Sequence, residues 1–140
     1  MSWNEKDFLR WSAQSYARLG SDVIARYNAS NAVLNCFTVP ADHIYLLRSM
    51  SIDCQNAGPG AASGYCGIWL GAVLKYLFLN SAMPAAIVSV TKESTYPYPM
   101  PFLAGYILRI SSSAAILDIS VSIFYTDVDL TVFPAYDPGY

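Results

Sequence analysis

Charged side chains are scarce in this sequence of 140 residues, at 13% of the total, about half the share of an ordinary globular domain. A net charge of −2 provides no basic face for nucleic acid, so we expect no nucleic-acid partner. The longest apolar stretch, 68–79, is interrupted by Lys75 and is shorter than the roughly 20 residues that span a bilayer, which argues against a membrane partner. Charges at Glu5, Lys6 and Asp7 replace the apolar core of a secretion signal, so we expect a product made in the cytoplasm.

Groups that carry catalysis are also few. The single histidine, His43, follows a turn and has no recognisable nucleophile or orienting group, so a surface turn histidine is favoured over a catalytic base. Asp127 and Asp129 fall on one side of a predicted strand, where a solvated strand end is favoured over a cation site or a pairing with a basic side chain. The glycines near 58–60 form no phosphate-binding loop. We therefore predict no enzymatic activity, no metal site and no cofactor.

The cysteines are three, Cys36, Cys54 and Cys66, and their spacing fits neither a disulfide framework nor a zinc site. Free cysteine is commonly buried, so the favoured interpretation is three small interior side chains. Cys54 and Cys66 flank a glycine-rich loop at 55–64, and a disulfide between them is the alternative if the environment is oxidising.

Hydrophobic residues, by contrast, make up 54% of the chain. A single domain of this length buries a limited fraction of its surface, because small domains have a high ratio of surface to volume. So much apolar material with so little charge predicts self-association or a permanent partner.

The first part of the chain has a helical pattern. Leu9, Tyr16 and Val23 recur every seven residues, and neighbouring apolar residues widen that stripe. The pattern predicts a helical arm over 1–32, which either docks on a neighbouring subunit or covers one end of its own domain.

From residue 33 the apolar period changes to that of strands. The clearest alternation is 117–125, where apolar residues recur at every second position. Residues 65–80 are one strand or two, with a helix as the rival, and 92–101 is predicted to be a proline-tyrosine loop. Six to eight short strands predict an all-β fold, an antiparallel β-sandwich or jelly roll over 33–131, followed by an extended aromatic tail over 132–140.

Aromatic residues are abundant, with eleven tyrosines and three tryptophans. Tyrosine combines a large contact area with a polar tip, which suits protein interfaces. Binding of sugar rings and packing within the chain are the alternatives. The residues predicted to form an interface lie in the arm, the proline-tyrosine loop and the tail: Trp3, Phe8, Trp11, Tyr16, Tyr96, Tyr98, Phe133, Tyr136 and Tyr140.

Two turn-and-strand segments lie about sixty residues apart. The first reads FTVPA at 37–41 and leads into an apolar stretch at 44–52; the second reads PFLAG at 101–105 and leads into LRI at 108–110. With the alternating strand at 119–125, they resemble small β-sandwich structural proteins of tailed-bacteriophage virions. The first turn of those proteins reads like YTVPAGK, so Asp42 and His43 stand where that pattern has glycine and lysine. After the second turn, Tyr106 stands where an acidic residue is common in those proteins.

The resemblance implies a virion protein of the head-decoration (cement), head-fibre or tail-tip type, often a trimer. We accordingly predict a non-enzymatic capsid decoration protein, located in the virion, that oligomerises and clamps the shell through its termini. Its expected partners are the major capsid protein or another virion protein and further copies of itself, with a trimer favoured. The alternative is a tail-tip or fibre module that binds host-surface glycan or another virion protein.

Overall fold

The computed structural model describes residues 20–83 and 88–131, except for the side chains of residues 88 and 98. The described residues form eight strands: β1 (Ser21–Ser30), β2 (Val33–Thr38), β3 (His43–Asn56), β4 (Ala62–Leu70), β5 (Val73–Met83), β6 (Val88–Phe102), β7 (Tyr106–Ser112) and β8 (Leu117–Asp129). None of the described residues belongs to a helix long and apolar enough to cross a membrane. The all-β class predicted from the sequence is confirmed for this part of the chain.

The strands form two four-stranded antiparallel sheets, and the larger of two hydrophobic clusters lies between them. The first sheet has the order β1-β8-β3-β6, and the second has the order β2-β7-β4-β5. Every connection except the β4–β5 hairpin carries the chain from one sheet to the other. The strands at the sheet edges are therefore β1 and β6 in the first sheet and β2 and β5 in the second.

The core lies between the sheets, and β8 shows why the sequence folds this way. Its alternating apolar residues are buried as predicted: Leu117, Ile119, Val121, Ile123 and Tyr125. Inward side chains of the second sheet meet them, among them the fully buried residues Leu108 and Ile110 of β7. Since side chains of a strand alternate between its two faces, one period-two run supplies both a core face and a solvent face.

The helical arm predicted over 1–32 is wrong for residues 21–30. These residues form β1, which pairs along its whole length with β8, from Ser21 opposite Asp127 to Ser30 opposite Asp118. Pairing with the strongly alternating β8 outweighs the weak seven-residue repeat, because tertiary contacts override local propensity. Residues 1–19, which carry the rest of that prediction, lie outside the described residues, as does the predicted tail over 132–140.

Two regions left open or predicted as loop are strands. Residues 65–80 divide into β4 and β5 at a tight turn, where Gly71 has a φ of 58° that favours glycine. The predicted loop at 92–101 belongs to β6, so that prediction is wrong. The prolines are tolerated there because β6 is an edge strand. In addition, residues 96–99 have no pairing partner on β3, since Leu47 pairs with Met100 and Ser49 pairs with Thr95.

The two turn segments that carry the phage resemblance lie side by side. The Val39 amide donates to the carbonyl of Tyr106 at 2.8 Å, and the Gly105 amide donates to the carbonyl of Val39 at 2.9 Å. Gly105 has a φ of 86°, and Asp42 has a φ of 63°. Asp42, which stands where the YTVPAGK-like turn has glycine, therefore has a left-handed backbone conformation.

The cysteines are free thiols, and Cys54 and Cys66 are buried. This agrees with the favoured interpretation of interior side chains for Cys54 and Cys66, whereas Cys36 is only partly buried and packs against the core. Burial raises the pKa of Cys36 to about 12 and also raises the pKa of Cys66, so the thiols are kept in their unreactive protonated form.

Candidate assembly surface

Exposed large apolar side chains are concentrated on the β4–β5 hairpin. Five of the eight found among the described residues lie within residues 70–77, and each is between 40% and 58% exposed. We call these five the hairpin surface: Leu70, Val73, Leu74, Tyr76 and Leu77. Single exposed apolar residues are ordinary, whereas five within eight consecutive residues are typical of a surface that a partner covers.

The hairpin surface arises from two bulges in β5. Consecutive residues of β4 pair with Leu79 and then Leu77, and further along with Tyr76 and then Leu74. Phe78 and Lys75 are therefore skipped in the pairing and are the extra residues of the two bulges. Phe78 turns into the core, while Leu77 and Leu74 stay exposed. A nearly continuous apolar run on an edge strand therefore leaves one set of side chains in solvent.

These bulges disfavour pairing of β5 with a further strand through the backbone, since bulges are a common protection of sheet edges. Lys92 of β6 adds to this, because its Nζ donates to the carbonyl of Phe78 at 2.5 Å across the gap between the sheets. Binding at this edge would thus depend on side chains rather than on an added strand.

An aromatic pair continues the surface on β4. The Tyr65 and Trp69 rings are 5.3 Å apart, and the Arg109 guanidinium lies 5.1 Å from the Trp69 ring. Arg109 Nε also donates to Asn35 at 2.8 Å, which fixes the guanidinium over the indole. A Cβ at Gly67 would lie 2.8 Å from the Trp69 ring, so glycine is required beneath it.

The first sheet carries a second feature, an open groove of about 440 Å³ on its outer face. We call it the first-sheet groove, and it is lined by Ile24, Ser49, Met50, Ser51, Glu93, Ser94, Thr95, Ser122, Ile123 and Phe124. Ile24 is 83% exposed, more than any other large apolar residue described. Arg48, the extra residue of a bulge in β3, lies 5.3 Å from the Phe124 ring and 3.5 Å from Asp22.

Of the nine interface residues predicted from the sequence, only Tyr96 has a side chain among the described residues. Tyr96 is half-buried and packs against the core, and burial raises the pKa of its phenol. The side chain of Tyr98 lies outside the described residues, as do Trp3, Phe8, Trp11, Tyr16, Phe133, Tyr136 and Tyr140. For these residues an interface role stays a prediction.

Sequence reasoning missed the hairpin surface, although a signal was present. Residues 70–79 read LGAVLKYLFL, which is apolar on both faces of any strand. Such a run is typical of a strand buried on both sides. Only the sheet order, which places β5 at an edge, shows that one face has no cover within the described chain.

Among the described residues, two pairs of titratable side chains lie within ion-pair distance, His43 with Asp127 and Arg48 with Asp22. Nδ1 of His43 donates to Oδ1 of Asp127 at 2.7 Å, and this contact joins the start of β3 to the end of β8. Asp129 accepts from the hydroxyl of Thr131 at 2.6 Å. Within residues 20–83 and 88–131, no group of three histidine, cysteine or acidic side chains is placed to hold a metal ion.

No protein-family model matches this sequence, and no curated protein matches it. Its sandwich is distantly similar to those of several solved structures. A pentameric capsid protein from metagenomic phage sequences is 14% identical over 76% of this chain and 62% of its own, with a TM-score of 0.46, so the chain spans about three-fifths of that protein.

A pilus protein of Bacillus endospore appendages is 7% identical over 78% of this chain and 85% of its own, with a TM-score of 0.36. A protein of the virus-like particle of extra small virus, from the giant freshwater prawn Macrobrachium rosenbergii, is 11% identical over 76% of this chain and 79% of its own, with a TM-score of 0.38. Similarities as low as these do not decide what this chain does.

Proposed function

We propose that this chain is a non-enzymatic structural protein of a virus particle, of the capsid decoration type, that oligomerises and binds the shell. The observation that carries the proposal is the hairpin surface, five exposed apolar side chains within residues 70–77 at the edge of a two-sheet sandwich. Fully burying an exposed Leu or Val side chain is worth about 1.5–3 kcal/mol. The four leucine and valine side chains of the hairpin surface are 40–58% exposed, so covering each would contribute roughly half of that, and together they suit a lasting contact.

The strand order supports a more specific architecture. Two four-stranded sheets, ordered β1-β8-β3-β6 and β2-β7-β4-β5, fit an eight-stranded jelly roll built from two Greek keys. Jelly rolls occur in viral capsid proteins and also in lectins and cupins. The phage-like turns at 37–41 and 101–105 favour the capsid use over the others.

The predicted aromatic arm and tail complete the proposal. Residues 1–19 and 132–140 hold seven of the nine aromatic side chains predicted to form an interface. We infer that they contact the major capsid protein or another virion protein, while the sandwich supports them. A truncation that tests this must retain β1, which pairs with β8.

The test is binding to purified particles stripped of this protein. We expect Leu74→Asp to abolish rebinding while the thermal unfolding curve stays that of the wild type, since Leu74 is exposed. Val33→Asp is the matched control, because Val33 is also an exposed apolar residue but lies on β2, outside the hairpin surface. Equal binding by the two variants would contradict the assembly role of the hairpin surface.

A tail-tip or fibre module that binds glycan is the second candidate, and the first-sheet groove favours it. Serine and threonine hydroxyls, one carboxylate and the Phe124 ring line that groove, and such groups recognise sugars through hydrogen bonds and ring stacking. Loss of glycan-array binding on Phe124→Ala would support this candidate, and an array that is silent for the wild type would count against it.

A further inference from the structure

One charged residue, Lys75, lies among the five residues of the hairpin surface. Lys75 lies between Leu74 and Tyr76, is exposed, and forms no ion pair with any described residue. If two hairpin surfaces met around a two-fold axis, two Lys75 ammonium groups would enter one small apolar contact. Like charges placed together across an interface oppose binding, so the hairpin surface is poorly suited to pairing with itself.

The first-sheet groove has the complementary composition. Glu93 is its one charged lining residue, and it too forms no ion pair with any described residue. Ile24 and Phe124 provide apolar contact beside it. An exposed apolar hairpin with one ammonium thus has its complement in an open groove lined by apolar side chains, hydroxyl groups and one carboxylate.

We infer that the hairpin surface of one copy docks in the first-sheet groove of the next copy, with Lys75 paired to Glu93. The two surfaces belong to different sheets of the sandwich, so the contact is head-to-tail and each copy uses both surfaces. Such a contact generates a closed ring when its rotation closes, in agreement with the oligomer expected from the sequence. This inference deepens the proposed function, since it rests on the self-association proposed there.

Charge exchange tests the pairing, because both residues are exposed and their replacement leaves the core intact. We expect Lys75→Glu and Glu93→Lys each to weaken self-association at least about tenfold, since each places like charges across the contact. The double variant with both changes should return to the wild-type mass, as the pair is restored with its signs reversed. Mass would be measured by light scattering coupled to gel filtration over a concentration series.

The matched control is Asp118→Lys. Asp118 is an exposed acid of β8 in the same sheet as the groove, but it does not line the groove. It should leave the mass unchanged while changing the net charge as much as Glu93→Lys does. Circular dichroism of each variant would show that the sandwich is folded.

Three results would overturn the inference: a wild type that stays monomeric at every concentration, single variants that keep the wild-type mass, or a double variant that stays dissociated. An oligomer unaffected by Glu93→Lys, together with lost glycan binding, would assign the groove to a sugar. A charge-dependent ring that is absent from virus particles would leave the interface standing and contradict the proposed function.

Discussion

At the scale of single residues, the contact between His43 and Asp127 makes the stability of the fold depend on pH. Its pKa is raised chiefly because Nδ1 donates to Asp127, and the nearby charges of Asp129 and Asp42 raise it further. A group whose pKa is higher in the folded than in the unfolded state stabilises the fold fully below its unfolded pKa, which is near the ordinary value of 6.5. That contribution is lost as the pH rises through the folded pKa.

Asp127→Asn should therefore lower the pKa of His43, and its stability should fall less than that of the wild type as the pH rises above about 6.5. The chain has one histidine, so its imidazole signals can be followed in a proton NMR titration without assignment. Asp118→Asn, on the same strand but outside the contacts of His43, serves as control. An unchanged His43 pKa in Asp127→Asn would contradict this role of the Asp127 contact.

Asp42 stands at a left-handed position where the phage-like pattern has glycine. An ordinary side chain at such a φ costs about 1–2 kcal/mol. Glycine avoids this cost, but it loses more conformational freedom on folding, which offsets part of the gain. We expect Asp42→Gly to raise the free energy of unfolding by about 0.5–1 kcal/mol in urea titrations. Asn31→Gly, at a φ of 50°, should gain less, because asparagine tolerates this conformation better. A clear loss of stability in Asp42→Gly would show that the aspartate side chain holds the turn.

At the scale of strands, the sequence predicts those whose two faces differ and fails for those whose faces are alike. The alternation of β8 predicts its buried side chains correctly, because one face is apolar and the other polar. The hairpin of β4 and β5 is apolar on both faces, so neither its division into two strands nor its place at an edge follows from periodicity. The β6 prolines predict a loop by composition, yet an edge strand accepts them.

Gly105→Ala should lower the free energy of unfolding by about 1–2 kcal/mol. A side chain at its φ of 86° is strained, and the added Cβ would lie 3.2 Å from Cδ1 of Leu70. Gly71→Ala isolates the backbone effect, because Gly71 has a positive φ but nothing within 4 Å of an added Cβ. Chemical denaturation of both variants gives the comparison, and full wild-type stability of Gly105→Ala would contradict the strain expected at this position.

At the scale of the whole molecule, core and assembly surface are separate. Leu108 is fully buried between the sheets, whereas Leu74 is exposed on the hairpin. Leu108→Ala should cost about 2–5 kcal/mol of unfolding free energy through lost contacts and a cavity. Leu74→Ala should change stability by less than about 0.5 kcal/mol while it weakens self-association. Urea unfolding and light scattering of both variants would reveal this split, and an equal loss of stability in the two would refute it.

The sandwich could be predicted from sequence because burial leaves a local pattern in each strand. The assembly surface could not, because it depends on sheet order. Edge positions follow from pairings such as β1 with β8, whose residues are about a hundred positions apart in the chain. Tyr96 illustrates the same limit: the sequence predicts an interface residue in a loop, and the sheet order places it in β6, half-buried against the core.

The central claim is that this chain is an abundant structural component of a virus particle. Quantitative mass spectrometry of purified particles, counting copies of this chain for each copy of the major capsid protein, tests it most directly. We predict a copy number of the same order as that of the major capsid protein. A few copies for each particle would support the tail-tip or fibre candidate instead, and complete absence from particles would contradict a virion role.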